Sequence, residues 1–111
     1  MKKLIFCCLL MLYSFQACAV DVDALRMKAM KGNYQAQRNL AYTLATGSGA
    51  AGNQNAMLGC AWYKLILLSG SEKIHDGDVG NVTVYCGRLT IEQQGVADQQ
   101  AKRLAKKIYG D

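Results

Sequence analysis

Apolar positions recur at spacings of three and four residues through most of this chain, the period of a helix with one buried face. The run "ALRMKAMK", residues 24–31, predicts a first helix, with Asp23 as its N-cap and Gly32–Asn33 as its stop. In "YQAQRNLAYTLA", residues 34–45, the positions Tyr34, Gln37, Leu40, Ala41 and Leu44 form a second stripe. The glycine-rich "TGSGAAGN" breaks it. A third helix is predicted over about 54–68, with Met57, Cys60, Ala61, Leu65 and Leu68 on one face and Ser69–Gly70 at its end.

"GSEKIHDG" reads as a solvated polar turn. The β-branched "VGNVTVYCGRL" would suit a strand. However, Val79, Val82, Cys86 and Leu89 keep the spacing of a fourth helix. Thr90 and Gln93 form a capping-box pattern at the start of a last helix. Its apolar side is predicted to be Ile91, Val96, Ala97, Ala101, Leu104 and Ile108. The expectation is an all-α fold of four or five short antiparallel helices with short connections.

The first nineteen residues follow a different pattern. Lys2 and Lys3 precede an apolar run from Leu4 to Phe15, and Ala17 and Ala19 give a small-x-small cleavage pattern. This predicts a bacterial-style secretory signal over 1–19 and a single domain over 20–111. An uncleaved anchor is the alternative, but the run is short for a bilayer span, so no transmembrane segment is expected after cleavage. Lipidation at Cys18 is a competing form of processing. Phe15 and Gln16 poorly match a lipobox there, so cleavage after Ala19 is preferred. The mature chain is then periplasmic or secreted.

Removing Lys2 and Lys3 lowers the net charge from +5 to about +3. That mild charge does not point to nucleic acid. Of five cysteines, Cys7, Cys8 and Cys18 belong to the leader region, leaving Cys60 and Cys86. If residues 70–76 are the tip of a helical hairpin centred on Lys73, both cysteines lie thirteen residues from it, at the same level. A disulfide between them is expected; two buried free thiols are the alternative.

"AQRNLAYTLATGSG" followed by "AWYKLILLSG" resembles the Sel1-like repeat, an αα-hairpin family related to the tetratricopeptide repeat. Ala36–Gln37, Leu40–Ala41, Leu44, Gly47 and Gly49 match the first half of the motif, and Ala61, Trp62 and Tyr63 the second. The segment around Leu89–Thr90 and Glu92–Gln93 is similar to the closing helix of such proteins. The resemblance implies a helical-hairpin unit with a C-terminal capping helix. It also implies a role in binding another protein, such as a secreted toxin (an immunity role) or an envelope component (an adaptor role). The alternative is a small cell-envelope enzyme, or an enzyme inhibitor, acting on cell-wall material.

The chain offers little catalytic chemistry. No nucleophile–base set stands out, and Cys-x-x-Cys is absent. His75 is the only histidine, and with Asp76 and Asp78 it reads as part of the solvated turn, so no catalytic residue, metal or cofactor is expected. Trp62 and Tyr63, about 100° apart on a helix, are expected to pack between helices and over a neighbouring groove. Tyr34, Arg38 and Tyr42 share a helix face and form a candidate partner-binding surface. Lys102, Arg103, Lys106 and Lys107 form a candidate basic docking face, set where cations also suit the helix dipole.

Overall fold

A computed structural model describes residues 21–48 and 54–110. The predicted signal segment, the choice between Ala19 cleavage and Cys18 lipidation, and most of the glycine-rich break lie outside the described residues. Within them the fold is all-α, with no strand. The helices are α1 (Val22–Met30), α2 (Tyr34–Thr46), α3 (Ala56–Leu68), α4 (Asp76–Asn81) and α5 (Ile91–Tyr109). A π turn, Val82–Cys86, continues α4.

Short polar side chains start the helices. The Asp21 carboxylate accepts the Ala24 N–H at 3.0 Å, so Asp21 caps α1 rather than Asp23. Asp23 sits two positions past the cap and instead pairs with Arg26 at 3.3 Å. Asn33 caps α2 through the Ala36 N–H, and Asn55 caps α3 through the Leu58 N–H. At α5 the predicted box is complete: Gln93 N–H donates to Thr90 Oγ1, and Thr90 N–H donates to Gln93 Oε1. Gly47 ends α2 in the left-handed conformation, at φ 73°, which glycine adopts without a Cβ penalty.

Helix α3 is central, packing against α2 on one side and α5 and the π turn on the other. Its close approach to α2 needs Gly59, where a Cβ would lie 2.6 Å from the Ala45 backbone nitrogen. Leu40, Ala41 and Leu44 from α2 join Trp62, Leu65 and Ile66 from α3 in the larger core. A second cluster of small residues surrounds the cysteines: Ala61, Ala97 and Ala101. Far along the bundle, buried Gln37 donates to the Ala29 carbonyl and to the Tyr109 hydroxyl, tying the end of α5 to the α1–α2 turn.

Four predicted apolar-face residues face outward. Ile91 (87% exposed) and Val96 lie roughly 100–120° round α5 from the stripe that packs, which runs through Ala97, Ala101, Leu104 and Ile108. Leu68 is exposed at the last residue of α3. Val79 is exposed because its neighbour Asp78 takes the inward position. The β-branched segment is helical, as its spacing predicts: Val79–Asn81 belong to α4, and Val82–Cys86 form the π turn that continues it.

Cys60 and Cys86 form a disulfide, with Cα atoms 5.0 Å apart. It joins the middle of α3 to the last residue of the π turn across 26 residues of sequence. In the chain-entropy view, a loop of this size contributes about 3–4 kcal/mol by restricting the unfolded chain. Reduction, or the Cys60→Ala/Cys86→Ala pair, is expected to lower the thermal midpoint by on the order of 10 °C or more. Circular dichroism melts with and without reductant measure this. The double variant should show no further response to reductant.

Candidate functional site

The centre of the site is a carboxylate. Asp78 stands third in α4 and is 0% exposed, not solvated as the polar turn around it predicts. Burial of a charge demands compensation, and three groups supply it. Tyr34 Oη donates to Asp78 Oδ2 at 2.6 Å, and the His75 backbone N–H donates to the same oxygen at 3.1 Å. Arg38 Nε lies 3.1 Å from Asp78 Oδ1 as an ion pair.

Local sequence explains how α4 presents this acid. His75 Nδ1 accepts the Gly77 N–H at 3.0 Å, so the only histidine is a helix cap. A Cβ at Gly77 would lie 2.5 Å from the imidazole, so any larger residue there would push this cap aside. The reciprocal bond from His75 N–H to Asp78 completes a capping box. The signal for this arrangement was present in "HDGD", a cap residue followed three positions later by an acid. Its burial was not visible there, because the compensating Tyr34 and Arg38 lie 44 and 40 residues upstream.

Tyr34, Arg38 and Tyr42 share one face of α2 but occupy different environments. Tyr34 is half-buried, with its hydroxyl committed to Asp78. Arg38 is 29% exposed, with its guanidinium carbon 5.7 Å from the centroid of the Tyr34 ring. Tyr42 is the outermost of the three, 47% exposed.

Tyr85, which the sequence reading did not single out, extends this face. Tyr63 and Tyr85 stack with centroids 5.1 Å apart, and Tyr42 meets Tyr85 edge-on at 6.4 Å. Arg88 covers the Tyr85 ring at 4.9 Å. Trp62 is buried in the main core, while Tyr63, beside it, reaches a groove. This groove, of about 270 Å³, is lined from α2 by Gln35, Arg38, Asn39 and Tyr42, with Tyr63, Asn81 and Tyr85 opposite.

Burial of Tyr63 is the main reason its phenol is pushed up to about 12; the neighbouring Tyr85 adds to this, while the positive charge of Arg38 opposes it. Tyr34 is also raised, first by desolvation and then by its bond to Asp78.

The basic residues of α5 have different local surroundings. Lys102 pairs with Asp98 at 3.1 Å, and Lys64 of α3 approaches the same acid at 3.7 Å. The hydrogen bond and charge of Lys102 hold the Asp98 carboxyl below its usual range. Arg103 Nε donates to the Gln99 carbonyl at 3.4 Å. Arg103 and Lys107 flank a small hollow with Leu58 and Leu104, and Lys106 is exposed one position along from Lys107. Among the described residues, no group of three or more His, Cys, Asp or Glu is placed to hold a metal ion.

No family model, curated protein or solved structure matches this chain.

Asp78→Asn removes the charge facing Arg38 while keeping a side-chain oxygen. Arg38 partly reaches water, so the expected loss lies at the low end for a broken buried pair, about 3 kcal/mol. Urea unfolding measures this loss, and Asp76→Asn, on the exposed side of the turn, should lie within about 0.5 kcal/mol of wild type.

The tyrosines predict an alkaline limit. An unfolded tyrosine ionises near 10.0 and Tyr63 in the fold near 12, so above the first value the unfolded chain gives up a proton that the folded chain keeps. The contribution of Tyr63 is therefore complete below pH 10 and is lost progressively toward pH 12. Urea midpoints taken from neutral pH upward should fall across that interval, and Tyr63→Phe should flatten the fall.

Proposed function

We propose that this chain is an exported, Sel1-like helical module that binds another protein through the Tyr42–Tyr85–Arg88 face. The observation that carries this reading is the aromatic and arginine surface itself. Tyrosine and arginine, pre-positioned and partly desolvated, are the residues that dominate binding energy at protein interfaces. Here Tyr42 is edge-on to Tyr85, and Arg88 lies over the same ring, so little side-chain freedom is left to lose on binding.

Export is supported by the leader-like first nineteen residues and by the Cys60–Cys86 disulfide, a bond favoured in oxidising compartments. Among the described residues, no helix is long and apolar enough to cross a membrane. The Sel1-like reading rests on Ala36–Gln37, Leu40–Ala41, Leu44, Gly47, Gly49 and Ala61–Trp62–Tyr63. Within it, Gln37 is a buried hydrogen-bonding strut, and Leu40, Ala41, Ala61 and Trp62 are core residues. A small module with one rigid recognition face suits either an immunity protein against a secreted toxin or an adaptor within an envelope complex.

Crosslinked affinity capture from the envelope fraction of the native cell should return one dominant protein. Tyr42→Ala and Arg88→Ala each truncate an exposed contact without touching the core. Each should reduce capture at least tenfold while leaving the thermal midpoint within a few degrees of wild type. If no partner is captured reproducibly, or if both variants capture it fully, this face is not the binding surface.

A further inference from the structure

Two polar groups that line the groove beside Tyr42 keep donors with no acceptor among the described residues. Tyr63 is only 3% exposed as a residue, but its side chain lines the groove, and its hydroxyl bonds no described residue and is not sealed from solvent there. Arg38 is the second group. Asp78 holds its Nε edge and Tyr34 lies against its plane, but neither Nη1 nor Nη2 is bonded among the described residues. Arg38 lines the same groove.

These groups are all donors. Guanidinium Nη groups donate only, and an arginine fixed along one edge presents the other as a fork matched to two oxygens. The Tyr63 phenol stays protonated through the physiological range, so it too can donate. Asn81 also lines the groove. No carboxylate lines it, since Asp78 is fully buried behind Arg38. Arg88, 4.9 Å over the Tyr85 ring, adds positive charge nearby.

From this arrangement we infer that the groove between α2 and the π turn receives the carboxylate of an acidic side chain from the partner protein, on Arg38 Nη1/Nη2 and the Tyr63 hydroxyl. The rings of Tyr42 and Tyr85 form the rim, against which the apolar stem and neighbouring residue of that acid would pack. The inference rests on the protein-binding reading above and names the chemistry of the contact. The acid's charge complements Arg38 and Arg88, and Asp78 makes the recognition possible by fixing the arginine before the ligand arrives.

The test uses the purified protein with its disulfide intact and two blocked peptides, Gly-Glu-Tyr-Gly and Gly-Gln-Tyr-Gly, with acetate as a third probe. Binding is followed by NMR of the arginine side-chain N–H and tyrosine ring signals. The glutamate peptide should saturate, shifting Arg38, Tyr42 and Tyr85, and the glutamine peptide should bind at least tenfold more weakly. Tyr63→Phe deletes one oxygen and keeps the Tyr85 stack. Because a hydrogen bond to a charged group is lost, it should weaken the glutamate peptide by about tenfold. Its unfolding midpoint at neutral pH should be unchanged or slightly higher, since no internal bond is removed.

Equal binding of the two peptides, absence of saturable binding, or full affinity in Tyr63→Phe would overturn the inference. Acetate binding as tightly as the glutamate peptide would overturn the partner-protein assignment in favour of a small free carboxylate. If Tyr42→Ala abolishes capture of the cellular partner while Tyr63→Phe leaves it intact, the module reading stands and only the carboxylate contact fails.

Discussion

A carboxylate taken wholly out of water must recover its lost hydration from the protein, and Asp78 does so with groups from two separate elements. Its own turn supplies the His75 N–H, and α2 supplies the Tyr34 hydroxyl and the Arg38 guanidinium. The short α4 has only six residues and includes two glycines, too little to be stable as an isolated helix. Its position is therefore set by what it is tied to: a capping box at its start, the Asp78 anchor on its inner face, and the disulfide just beyond its π continuation.

The disulfide and the buried acid act on the same segment from opposite ends. Cys86 is drawn into the seam of small residues between α3 and α5, where Ala61, Ala97 and Ala101 leave room for close approach. Tyr85, immediately before it, points away from that seam and stacks on Tyr63. One turn of chain thus serves two surfaces, an interior crosslink and an exterior aromatic face. The π turn lies where both demands must be met, and a wider turn of this kind changes the angular register of the side chains that follow.

The functional consequence is pre-organisation. Tyr34 and Arg38 are drawn partly inward to satisfy Asp78, leaving Tyr42 as the outer member of their stripe. Tyr85 and Arg88 then join Tyr42 from the other wall, although they lie more than 40 residues away in the chain. The surface is a product of the hairpin-to-hairpin packing, and the same packing leaves Arg38 with one edge occupied and the other open.

Local rules determined a good deal from the sequence alone. The helical period placed α2, α3 and α5. The Thr90–Gln93 box marked the start of the last helix, and the symmetry of Cys60 and Cys86 about Lys73 identified the crosslink, because each depends on residues close in sequence or on simple hairpin geometry. Tertiary structure alone decided which side of each helix met a neighbour, so Ile91, Val96, Leu68 and Val79 ended outside while Asp78 went inside. An apolar residue is buried only where another element covers it, and a charge is buried only where distant partners replace its water. Neither condition is written in the local pattern. The shared groove of Arg38, Tyr63 and Tyr85 belongs to that second class, since it exists only once three elements have packed.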